Sequence, residues 1–74
     1  MIIEDAIKAI IKEYGEATKQ FGKFNSAHEG YAVLEEEVDE LWDEVKAKPR
    51  DPEGMRREAI QVCAMALRFL QDCC

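Results

Sequence analysis

No apolar run in the chain approaches the roughly 20 residues that a membrane span needs. The N-terminus has neither the basic region nor the cleavage pattern of a signal peptide, so a cytoplasmic protein is expected. Basic residues are scarce: Lys and Arg number 10 against 16 Asp and Glu, giving a net charge of −6. An electrostatic nucleic-acid surface is thereby excluded, because phosphate binding needs clustered Lys and Arg, and an anionic ligand would need a metal. Cysteine is limited to Cys63, Cys73 and Cys74, an odd number without zinc spacing. That excludes a disulfide framework and leaves reduced thiols, and no base stands near the C-terminal pair to make a nucleophile. With 74 residues the chain is one small domain, residues 1–74, whose core is marginal unless stapled, metallated or oligomeric.

What is present is helical periodicity. Ile3, Ile7, Ile10, Tyr14, Ala17 and Phe21 alternate at spacings of four and three, which predicts an amphipathic helix from about Ile2 to Phe21, with Gly22 just past its end. Ser26-Ala27-His28-Glu29 has the form of a capping box and opens a second helix, Ala27 to Ala47, with Tyr31, Leu34, Val38, Leu41 and Val45 as its stripe. Both prolines fall between the second and third helices. Pro49 stops the second, while Asp51 and Pro52 cap the third, which runs from about Pro52 to Cys73. Its stripe is Met55, Ala59, Val62, Ala66, Phe69 and Cys73, beside a second apolar face of Ile60, Cys63, Leu67 and Leu70. A helix so widely apolar needs more cover than two small partners give. The expected architecture is therefore all-α: a three-helix chain with an antiparallel hairpin, of four-helix-bundle type, completed by oligomerisation.

Seven of the ten residues from Glu35 to Glu44 are acids. At about 100° per residue, Glu37, Glu40 and Glu44 share one edge of the core-facing surface, while Glu36 turns away as a solvated residue. The third helix gives Glu58 and Gln61 nearly the same offsets that the second gives Glu37 and Glu40. Antiparallel pairing then sets Glu40 opposite Glu58 or Ala59, and Glu37 opposite Gln61 or Val62. Crowded carboxylates repel unless a cation or a proton neutralises them, and hard oxygen donors select Mg2+, with Mn2+ as the alternative. The competing reading is a solvated acidic helix face.

These residues carry a resemblance. Glu37 and Glu40, in their Glu-Glu-Val-Asp-Glu-Leu context, followed by Glu58, resemble the Glu-x-x-Glu and Glu-x-x-Asp motifs of MazG-like all-α nucleoside triphosphate pyrophosphohydrolases. The likeness spans roughly His28 to Leu70. It departs at Gln61, where the family has Asp, and in offering three helices where family domains commonly have four. The resemblance implies cleavage of an NTP or dNTP between its α- and β-phosphates, with Glu37, Glu40 and Glu58 as metal ligands, Gln61 a weaker or water-bridged one, and a homodimer or homotetramer. The alternative is a non-catalytic helical oligomer or nucleotide-binding protein that has lost turnover through Gln61. His28 and Trp42 are candidate substrate contacts, against the plainer readings of a first-turn residue and a packing or interface residue. Lys46, Arg56 and Arg57 lie where they could screen phosphates or simply pair with acids, and Glu44 is either an outer-shell acceptor or surface.

Overall fold

The structure, a computed structural model, describes residues Met1–Cys74 and contains helices α1 (Ile3–Phe21), α2 (Ala27–Lys46) and α3 (Pro52–Cys73), with no strands. The boundaries lie within one residue of those expected from periodicity and caps. Gly22 takes φ 72° and its N–H donates to the Thr18 carbonyl, a left-handed residue ending α1. Ser26 Oγ accepts from the Glu29 N–H at 3.1 Å. The reciprocal half of this box is displaced by one residue: Glu29 accepts from the Asn25 N–H at 3.0 Å and from Asn25 Nδ2 at 3.1 Å, not from Ser26. Those hydrogen bonds hold the Glu29 carboxyl below its usual value. At α3, Asp51 Oδ1 accepts from the Glu53 N–H at 3.1 Å, with Pro52 in the first turn.

α3 packs on both other helices, whereas the backbones of α1 and α2 stay apart, with no Cα pair within 8 Å. The α2–α3 pair is antiparallel, since Glu44 lies against Gly54 at one end and Gly30 against Phe69 and Cys73 at the other. The inner ridges differ from those drawn on hydrophobicity. α2 turns Gly30, Val33, Leu34, Glu37, Leu41 and Glu44 inward and leaves Tyr31 and Val38 59% and 46% exposed. α3 buries Gly54, Ala64, Met65 and Arg68, with Glu58 and Gln61 half-buried between them and Ala59 in solvent. Small and polar residues thus line the intrachain contact while much of the apolar surface faces out. The reason is close approach: Gly30 and Gly54 let the two helices meet where a larger stripe would hold them apart.

The buried apolar core is correspondingly small: Ala17, Phe24, Ala64 and Met65, with Tyr14, Val33 and Leu34 packed around it. Of the second face on α3, Leu70 is exposed but Ile60 and Leu67 are half-buried. The outward apolar surface is instead shared by all the helices, through Ile3, Ile7 and Ile11, Tyr31, Val38 and Trp42, and Leu70. No helix is long and apolar enough to cross a membrane.

Gly30 offers a test of this packing. A Cβ there would lie 2.9 Å from Phe69 Cδ2 and 3.0 Å from Phe24 Cδ2, inside contact distance. Overpacking of this kind costs about 1–3 kcal/mol, against about 1 kcal/mol of helix propensity recovered. Gly30→Ala is therefore expected to lower the melting temperature despite being helix-favouring. An unchanged or raised melting temperature would mean that α2 and α3 do not approach as closely as described.

Candidate metal centre and its clefts

Glu37 and Glu40 lie one turn apart on α2, and Glu58 comes from α3. One carboxylate oxygen from each falls within 4.8 Å of the others. Glu58 has a side chain only 15% exposed, Glu37 is half-buried and Glu40 is open to solvent. The crowding appears in the protonation of Glu37, whose carboxyl is pushed up to about 7. Burial is the first cause; the charge of Glu40, a hydrogen bond shared with Glu40, and then the charges of Glu58 and Glu36 add to it. A proton on Glu37 thus does part of what a cation would do, lowering the repulsion within the cluster. Gln61, one turn beyond Glu58, is half-buried and lines the adjoining cleft together with Glu37. All these donors are hard oxygens, a set that fits Mg2+ or Mn2+ and disfavours softer ions.

Arg57 stands at the edge of the cluster, its Nε 3.5 Å from Glu58 and its Nη2 3.6 Å from Glu44. Glu44 is therefore an ion-pair partner packed over Gly54, with a side chain 27% exposed. Arg56 pairs with Glu53 at 2.6 Å and Lys46 with Asp43 at 3.4 Å.

Because the backbones of α1 and α2 stay apart, a cleft of about 620 Å3 opens between them with α3 as its floor. Phe21, Phe24, Asn25, Glu29, Glu36 and Arg68 are among its walls. Glu36, expected to be solvated away from the site, is exposed but belongs to this rim. Arg68 was not singled out by sequence reasoning. It is 3% exposed, and its guanidinium stacks 4.1 Å from the centroid of Phe24. Its Nη2 donates to the Gly22 carbonyl at 2.9 Å and its Nη1 to Met65 Sδ, while Nε has no acceptor. The available signal was an arginine set inside the apolar run Ala64 to Leu70. Together with Asp72, which accepts from the Phe24 N–H at 3.0 Å, Arg68 ties the α1–α2 connection to α3 and so fixes one wall of the cleft. A smaller cleft of about 380 Å3, lined by Lys12, Arg56, Arg57 and Ile60, lies between α1 and the start of α3.

The structure brings Glu37, Glu40 and Glu58 together, with Gln61 beside them. His28 and Trp42 line neither of these clefts. His28 is exposed in the first turn of α2, and Trp42 is 57% exposed with Lys46 Nζ 5.9 Å from its ring centroid. The cysteines are free, and burial, followed by the charge of Asp72, holds the Cys73 thiol above its ordinary value, unlike a nucleophile. Compared with protein-family models, curated proteins and solved structures, the chain matches none of them.

Proposed function

We propose that this chain is a MazG-like, divalent-metal-dependent nucleoside triphosphate pyrophosphohydrolase that converts an NTP or dNTP to the monophosphate and pyrophosphate, and that it works in the cytoplasm as a homodimer or homotetramer. The observation carrying this reading is the convergence of Glu37, Glu40 and Glu58 within 4.8 Å, from two helices, beside an open cleft. In a chain of net charge −6, such a neutralised site lowers the repulsion of a polyanionic substrate. When bound, a Mg2+ or Mn2+ ion supplies a Lewis acid that acidifies a water and offsets phosphate charge. Glu37, Glu40 and Glu58 would hold it, and Gln61 would offer a neutral carbonyl oxygen where the family supplies a carboxylate. Glu37 would have to be deprotonated to serve as a ligand. One water adds across the bond linking the α- and β-phosphates, its protons pass to solvent, and the products are the monophosphate and pyrophosphate.

Oligomerisation is supported by area. A monomer of this mass exposes about 4,650 Å2, whereas this chain exposes 5405 Å2. The excess of about 750 Å2 is close to the roughly 800 Å2 that each partner buries in a standard interface. Light scattering is expected to give a dimer or larger at micromolar concentration, and a folded monomer would refute this part of the proposal.

The functional test is pyrophosphate release from a panel of triphosphates with and without Mg2+. Gln61→Asp adds an anionic ligand at nearly constant shape, so it should tighten metal binding, keep or raise turnover, and lower the melting temperature of the metal-free protein. A wild-type chain that binds the ion without turnover, and gains turnover on Gln61→Asp, would support the reading of a binding protein that lost catalysis at this position. Absence of metal-dependent turnover in both would refute the enzymatic reading.

A further inference from the structure

The two clefts described above meet: Glu13 and Gln61 line both. Their chemistry differs on either side of that partition. The smaller cleft has Lys12 beside Glu13 and Glu16 from α1, and Arg56 and Arg57 beside Glu53 from α3, with no aromatic side chain. The larger one has Phe21 and Phe24, with Lys23 and Arg68 as its cations. Distance to the carboxylate cluster separates the cations further. Arg57 Nε is 3.5 Å from Glu58, whereas Arg68, in the larger cleft, lies ten residues beyond Glu58 on α3, about 15 Å at the helical rise. A phosphate chain engaged at the cluster stays close to it, and a nucleoside reaches farther. Lys12 has no ion-pair partner. Arg56 has only the exposed Glu53, so a phosphate end can compete for Lys12 and Arg56 at little cost, whereas Arg57 is held by the more buried Glu44 and Glu58.

We infer that the substrate lies across the Glu13–Gln61 partition in one direction, its pyrophosphate end over Lys12 and Arg56 and its nucleoside in the larger cleft against Phe21. This rests on the pyrophosphohydrolase reading and adds the orientation of the substrate to it. The direction follows from opposed chemistry. Guanidinium and ammonium groups pair with phosphate oxygens, while a base stacks on an aromatic face.

The test measures binding of the two products separately, by calorimetry in Mg2+, with inorganic pyrophosphate and a set of nucleoside 5′-monophosphates as probes. The variants are the double substitution Lys12→Gln with Arg56→Gln, and Phe21→Ala. All three side chains are exposed, so folding is not at stake. The double variant is expected to weaken pyrophosphate by about ten-fold or more while leaving monophosphate binding within about two-fold, since only charge-assisted contacts are removed. Phe21→Ala is expected to do the converse. The opposite pattern, equal losses for both probes, or no change in either would overturn the orientation while leaving the enzymatic reading intact. A wild-type chain that binds neither probe would overturn both.

Discussion

Glu40→Gln is expected to raise the melting temperature of the metal-free protein while reducing metal-dependent pyrophosphate release by about 100-fold or more, as loss of a direct ligand requires. The opposite signs come from one cause. Burial first, and then the charge of Glu40, the largest charge effect on Glu37, push the Glu37 carboxyl up to about 7. Making position 40 neutral removes that repulsion from the native state, worth about 1 kcal/mol for a half-exposed group after solvent screening. The same change takes an anionic oxygen from the place where the ion must be held. Glu40 is exposed and packs against little, so its amide isostere has no cavity or overpacking effect to confuse the result. A solvated acidic face predicts a change within about 0.5 kcal/mol and no link to metal. Paired melting curves with and without Mg2+, beside the release assay, distinguish the two.

The second large effect is on pH. The native Glu37 carboxyl titrates near 7 against an ordinary value of 4.5. The folded protein therefore holds this proton more tightly than the unfolded chain does. Stability from this group is fully present below its ordinary value and is lost as pH rises through about 7. Without metal, the melting temperature should fall between pH 5 and pH 8, by an amount corresponding to about 1–2 kcal/mol after screening is allowed for. A small domain shows that as roughly 4–16 °C. Metal should counter the trend. The ion must displace the Glu37 proton, so its affinity should rise with pH up to about 7, with proton release detectable below that value, and bound Mg2+ should flatten the decline in stability. Glu37→Gln should abolish the metal-free slope. A slope that survives this substitution would place its origin elsewhere.

The helices were legible in the sequence because local signals agreed. Ser26 and Asp51 cap α2 and α3, Gly22 ends α1, and both prolines mark the hairpin. The meeting of Glu37, Glu40 and Glu58 was also legible, since it depends on antiparallel register and that is set by the short connection. The rotation of the helices was not. The stripe on α2 predicts Tyr31 and Val38 in the interior, but both face outward, while Glu44 and Gln61, expected at the edge of the core-facing surface, are half-buried. A sequence states which faces avoid water without saying whether the same chain or another covers them. Periodicity also cannot show where helix backbones stay apart. The cleft between α1 and α2, with Arg68 and Phe24 at its wall, arises from that gap, and only a lone arginine in an apolar run hinted at it.

If Glu37, Glu40 and Glu58 form a single divalent-cation site, Mn2+ binding monitored by electron paramagnetic resonance at pH 8 reports on it without any substrate. Saturable binding of one ion per chain at submillimolar concentration is expected, competed by Mg2+ and lost in Glu40→Gln. Non-saturable uptake at millimolar Mn2+, equal in wild type and Glu40→Gln, would contradict it.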